Sequence, residues 1–172
     1  MSHSEAKKKW HVAYTYPNAE KKVHKLLINI GVTSFLPMLN VISKWSDRTK
    51  QVQLPLFPNY IFINVSPKDL YVPLQIKQLL YYVSFDGKAA IVNDTLVESL
   101  KKILNGEGIV SEEEYTKAGM PVKVIHGPFA GVEGVVIKKN GKTKLVVQIE
   151  AMKRAISVEI SSNMIAPIYS HD

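Results

Sequence analysis

The residues with the most to offer chemically are aromatic rather than nucleophilic. In the run Leu54-Pro55-Leu56-Phe57-Pro58-Asn59-Tyr60-Ile61-Phe62-Ile63, Tyr60 and Phe62 project to one side of an extended chain. Ile61, Ile63 and Val65 project to the other side, so both faces are apolar. Upstream, Trp10, Val12 and Tyr14 alternate in the same way and share one face. Two readings compete. Either the strand is buried on both sides, or Tyr14, Tyr60 and Phe62 line an open hollow that receives a partner helix, a task suited to apolar aromatic anchors.

Bond-making chemistry has little support. His3, His11, His24, His126 and His171 lack metal-ligand spacing, and no paired acids or nucleophile–base order stands out. His11 reads as a satisfied polar residue of the first strand. The glycines at 127, 131 and 134 match no nucleotide-binding fingerprint, and strands rather than a helix are expected after them. They read instead as tight bends and as one close backbone approach. With no cysteine, disulfides and thiolate zinc sites are excluded.

Cations are unevenly spread. The net charge is +7, and residues 1–60 carry nine Lys/Arg against three Asp/Glu. Such a balance favours a polyanion near the first part of the chain. Lys21, Lys22 and Lys25 lie on the wetter side of an expected helix, and Arg48 and Lys50 in an expected loop. The competing reading is a solvated helix face.

The elements that must hold these residues follow from period and punctuation. Among 172 residues, 46% are hydrophobic, enough for one or two small cores. No apolar run approaches a membrane span, and the polar, basic start is unlike a secretory signal, so the cytoplasm is expected. A strand is predicted over 9–16. A helix is predicted over 19–30, capped by Asn18, with Val23, Leu26, Leu27 and Ile30 on its apolar side. A strand over 32–41, broken by Pro37, and a hairpin around 46–50 precede the strong strand at 59–65. A short helix and loop follow over 67–78. Next come a β-like run at 79–85, an Asp86-Gly87 turn, and a helix that begins near Asn93 and runs through Leu104. Residues 105–117 look like an exposed linker. Beyond them, short strands with an Asn140-Gly141 turn suggest a small barrel.

Two sets of motifs resemble one family. Trp10-His11-Val12-Ala13-Tyr14, Glu20, Phe35-Leu36-Pro37 and Pro55-Leu56-Phe57-Pro58-Asn59-Tyr60-Ile61-Phe62 resemble the N-terminal domain of NusG proteins. Gly119-Met120-Pro121-Val122-Lys123-Val124 and the run from Gly127 through Phe129 and Gly134 to Val136 resemble the KOW motif of the same family. The resemblance implies a non-enzymatic adaptor that binds the clamp helices of the largest RNA polymerase subunit. It places Trp10, Tyr14, Phe57, Tyr60 and Phe62 at that contact. It also implies that the KOW domain meets the small-subunit ribosomal protein NusE or the termination factor Rho, with Phe129, Met152 and Arg154 as the contact residues. The family's usual Phe-Gly-Arg turn stands here as Met152-Lys153-Arg154, which weakens the case for Rho. General NusG proteins carry Phe-Pro-Gly-Tyr where this chain has Phe57-Pro58-Asn59-Tyr60. In this the chain is similar to the operon-specific paralogues, RfaH and the UpxY group, some of which read non-template DNA; the likeness makes Lys21, Lys22, Lys25, Arg48 and Lys50 the candidate contacts to that strand.

The expected fold is therefore α+β. It comprises a NusG-like α/β sandwich with an antiparallel sheet at 8–105, a linker at 106–116, and an SH3-like KOW barrel at 117–168. The chain is expected to be a monomer without cofactor, metal or membrane association. The expected function is antitermination or processive elongation, directed at selected operons of the polysaccharide type. The alternatives are a general NusG housekeeping factor and a ribosome-associated, RNA-binding KOW protein.

Overall fold

The computed structural model describes residues 6–44, 48–106, 110–113 and 119–169. Its contacts divide the chain into two compact units, Met1–Asp94 and Thr95–Asp172.

The first unit is built on β1 (Lys9–Thr15), α1 (Glu20–Asn29), β2 (Thr33–Phe35), β3 (Met38–Lys44), β4 (Thr49–Pro55) and β5 (Tyr60–Val65). Two 3-10 turns, Pro67–Asp69 and Pro73–Gln75, stand where a short helix was expected. The unit continues with β6 (Leu79–Tyr82), β7 (Ser84–Phe85), β8 (Lys88–Ala89) and β9 (Ile91–Val92). The main sheet runs β2-β5-β1-β6, with β9 also pairing β1, and its pairings are antiparallel. Strand period 2 then sorts the side chains. Ala13, Ile61, Ile63, Val65 and Tyr82 form one core with Val23 and Leu27 of α1. The helix was expected to be capped by Asn18. Instead Ala19 occupies the cap position without a side-chain hydrogen bond, and Asn18 turns the chain with φ 61°.

Strands β3 and β4 form a separate two-stranded hairpin, paired from Met38↔Pro55 to Lys44↔Thr49. Part of the loop expected there, 46–47, lies outside the described residues.

The second unit opens with α2 (Asp94–Asn105), which begins one residue ahead of the division, and β10 (Val110–Glu113). It continues through β11 (Met120–Val124), β12 (Glu133–Lys139), β13 (Lys142–Ile149), β14 (Arg154–Glu159) and β15 (Ile165–Pro167). Its six strands run in the order β10-β14-β13-β12-β11-β15, antiparallel throughout. Leu145, Val147, Ile149, Ile156 and Val158 are buried with Val122 and Val124. Gly134 is where β12 comes closest to β13: a Cβ there would lie 2.4 Å from the Val146 carbonyl oxygen. Gly127 and Gly131 take φ of 84° and 89°, which permits the bend between β11 and β12.

Two features differ from the sequence reading. The expected linker contains a strand, because Val110–Glu113 pairs with β14. The second helix, expected in the first domain, groups with the second unit. Its Lys102 Nζ donates to Ala130 O at 3.0 Å, and Gly106 packs against the Phe129 ring. An amphipathic helix advertises an apolar side but not which core receives it.

Candidate functional site

The register of β1 against its neighbours gathers the aromatics. Tyr14 lies opposite Tyr60 on β5 and opposite Tyr81 on β6, while Val12 lies opposite Phe62. Phe35 of β2 is Phe62's partner on the far side. The Tyr14 and Tyr60 rings meet edge to face at 5.2 Å, and Tyr14 and Tyr81 stack at 5.3 Å with a 9° interplanar angle. Both geometries are favourable for aromatic pairs.

Burial divides the expected contact residues. Tyr14 and Tyr60 are half-buried, whereas Phe62, Phe57 and Trp10 are only 0%, 2% and 6% exposed. Phe62 sits in mid-sheet between Val12 and Phe35, its ring 5.9 Å from that of Phe35. Trp10 and Phe62 share the face of Tyr14 and Tyr60 but, like Phe57, are closed off and present no surface. Tyr81, 53% exposed, completes an open row Tyr60–Tyr14–Tyr81. Sequence reasoning placed Tyr81 in a β-like run without assigning it a role. Only the β1–β6 register sets it beside Tyr14.

A small set of hydrogen bonds holds the row in place. Asn59 has φ 72°. Its backbone N–H donates to Glu20 Oε1 at 2.8 Å, and its Nδ2 donates to Thr15 O at 3.3 Å. Thr15 N–H in turn donates to Asn59 O at 2.8 Å. The residue before Tyr60 is thus tied both to the end of β1, next to Tyr14, and to the first turn of α1. Glu20 is 4% exposed, and a carboxylate at a helix N-terminus is favoured by the dipole there.

The candidate cations lie elsewhere on this unit. Lys21, Lys22, Lys25, Arg48 and Lys50 are all exposed. Lys21 Nζ donates to Gln53 O at 2.8 Å, which joins α1 to the β3–β4 hairpin. His11 is buried, with Nδ1–H donating to Ala90 O at 2.9 Å. Desolvation lowers its pKa, so the neutral ring is favoured. Among the described residues no group of histidines, cysteines and acids is arranged to hold a metal.

On the second unit, Phe129 and Met152 are buried, at 6% and 7% exposure, while Arg154 is exposed. Of the three expected contact residues, only Arg154 offers surface. Phe129 is closed off where Gly106, at the end of α2, packs on its ring. The notable electrostatic group is Glu113, whose side chain is 7% exposed. Its oxygens lie 2.6 Å from Lys139 Nζ and 3.3 Å from Lys144 Nζ, and Ser157 Oγ donates to it at 3.2 Å. The hydrogen bond from Lys139, aided by Lys144 and Ser157, holds the carboxyl at about 2 against an ordinary 4.5.

One unit thus carries a row of tyrosines on its sheet, and the other is built on a six-stranded antiparallel sheet. The family model for NusG, transcription termination factor, matches residues 8–101. This chain belongs to the NusG family of transcription termination and antitermination factors, which are not enzymes. It is 25% identical to the transcription termination/antitermination protein NusG of Deinococcus radiodurans, over 91% of this chain and 97% of that one. It is 23% identical to the protein of the same name from Pseudomonas aeruginosa, over 94% and 99%. The fold is similar to a solved structure described as domain interaction in Thermotoga maritima NusG. That likeness has a TM-score of 0.52 at 22% identity and covers 95% of this chain and 98% of that one.

Proposed function

We propose that this chain is a cytoplasmic antitermination and elongation factor that holds the clamp helices of RNA polymerase against the Tyr60–Tyr14–Tyr81 row. The observation that supports this reading is the row itself: three adjoining rings at 5.2 and 5.3 Å separation, with Tyr14 and Tyr60 part-exposed and Tyr81 53% exposed, on the face where Trp10 and Phe62 are closed off. Aromatic side chains with a wet hydroxyl tip suit an interface anchor. The mechanism needs binding energy alone. Pausing requires the clamp to move, and a ligand that prefers its closed arrangement shifts the balance toward elongation.

The finer reading is action on selected operons of the polysaccharide type. It rests on Asn59 in the Phe57-Pro58-Asn59-Tyr60 run, with exposed Lys21, Lys22, Lys25, Arg48 and Lys50 available to non-template DNA. The second unit is proposed to meet the ribosomal protein NusE, with Rho disfavoured by the Met152-Lys153-Arg154 turn. One observation favours a general housekeeping factor instead: glycine adopts the 72° φ of Asn59 equally well, so that substitution leaves the backbone path unchanged.

Binding of isolated clamp helices tests the main reading. Tyr14→Ala, Tyr60→Ala and Tyr81→Ala are each expected to weaken it by about 1–3 kcal/mol, as truncated anchors do. Unchanged affinity in all three refutes the assignment. Rho binding and genome-wide rather than operon-limited occupancy would select the housekeeping reading.

A further inference from the structure

Strand β1 begins beside three consecutive lysines, at the opposite end of the strand from Tyr14. Lys7, Lys8 and Lys9 are exposed and line a hollow of about 320 Å³ whose other walls are residues 91–94. Lys8 also borders a second hollow of about 220 Å³, together with Asn64 and Asp69. Lys8 therefore borders both hollows.

The lysines of the two units differ in what they face. In the second unit Lys123, Lys139, Lys142, Lys144 and Lys153 each lie within ion-pair distance of a glutamate. Among the described residues, Lys7, Lys8 and Lys9 make no ion pair. The acids on the walls are Asp94 in the larger hollow, against three lysines, and Asp69 in the smaller, so the excess of positive charge, about two, sits in the larger one. No wall residue of either hollow is aromatic, which removes the platform on which bases stack. What remains is a groove that recognises repeated negative charge without reading bases.

We propose that Lys7, Lys8 and Lys9 form a phosphate-contacting site for a nucleic-acid backbone, separate from the cations of α1 and the hairpin. Binding there is independent of base sequence. Each phosphate neutralised releases counterions, so the site declares itself in the salt dependence of binding.

The test uses the full-length chain, a fluorescein-labelled DNA duplex of mixed sequence, and anisotropy titrations across a salt series, with no polymerase present. Failure here therefore leaves the clamp-helix reading untouched. Lys7→Gln/Lys8→Gln/Lys9→Gln is expected to bind about tenfold more weakly at low salt. Its log–log salt slope should be shallower by about two, at ~0.9 per phosphate lost. Lys123→Gln/Lys142→Gln, which removes charge from paired lysines, should change affinity less than about twofold. A single-stranded RNA arm separates the two backbone sources, with a slope of ~0.7 per phosphate. Should the triple variant melt early, Lys8→Glu replaces it and is expected to weaken binding in the same direction. An unchanged slope in a variant that melts like the parent overturns the proposal, and so does an equal loss in the paired-lysine control. Competition by poly-glutamate as effective as that by unlabelled DNA also overturns it, assigning the groove to an acidic peptide.

Discussion

Asn59 offers a perturbation whose outcome can be ordered in advance. Its φ of 72° lies in the left-handed region, where a residue with a Cβ is strained by about 1 kcal/mol or more and asparagine is among the better tolerated. Its side chain adds a hydrogen bond to Thr15 O of 3.3 Å, a long one, worth about 0.5–1 kcal/mol. Asn59→Ala loses that bond and takes on the strain, for about 2 kcal/mol in total. Asn59→Gly loses the bond and gains chain entropy in the unfolded state but relieves the backbone, for about 1 kcal/mol. In a unit of this size each kcal/mol moves the melting temperature by roughly 4–8 °C, so alanine should cost about 10 °C and glycine about half of that. The assay can isolate the right unit. Trp10 is buried in the first unit, and no tryptophan of the sequence falls in the span of the second, so tryptophan fluorescence follows the first unit's unfolding. Because the bonds of Asn59 fix the chain between Tyr14 and Tyr60, clamp-helix binding should weaken in the same order. An alanine variant that melts at or above the glycine variant would refute the reasoning, since strain could not then be the larger cost.

Three further outcomes are expected. Gly134→Ala should destabilise the second unit by about 2–4 kcal/mol, because the new Cβ meets a backbone carbonyl at 2.4 Å and the strands must part; faster hydrogen exchange of the β12 and β13 amides checks this. Glu113 is held at about 2 when folded against 4.5 ordinarily, so its stabilisation is present above about 4.5 and is lost as pH falls toward 2. The second unit should lose melting temperature across that window, and Glu113→Gln should flatten this part of the profile. Leu27→Ala, at a fully buried position of α1 against the sheet, should cost the first unit about 2–5 kcal/mol in denaturant titration.

Local pattern carried much of the architecture. Alternation in Trp10–Tyr14 and Tyr60–Val65, helical spacing in Val23–Ile30, and the Asp86-Gly87 and Asn140-Gly141 turns act over a few residues, and each such element stands in the fold. The NusG likeness was likewise written in contiguous motifs. Tertiary structure decided what depends on distant partners. Tyr60 and Phe62 have the same parity on one strand, yet Phe62, in mid-sheet, is fully buried while Tyr60 stays partly open near the strand end. Tyr81 joined the site only through the β1–β6 register, and Val110–Glu113 became a strand only because β14 offered an edge and Lys139 and Lys144 a place for Glu113. Periodicity states which side chains want to leave water. Which neighbours cover them is set by strand register and packing between residues far apart in the chain, and no local window contains that information.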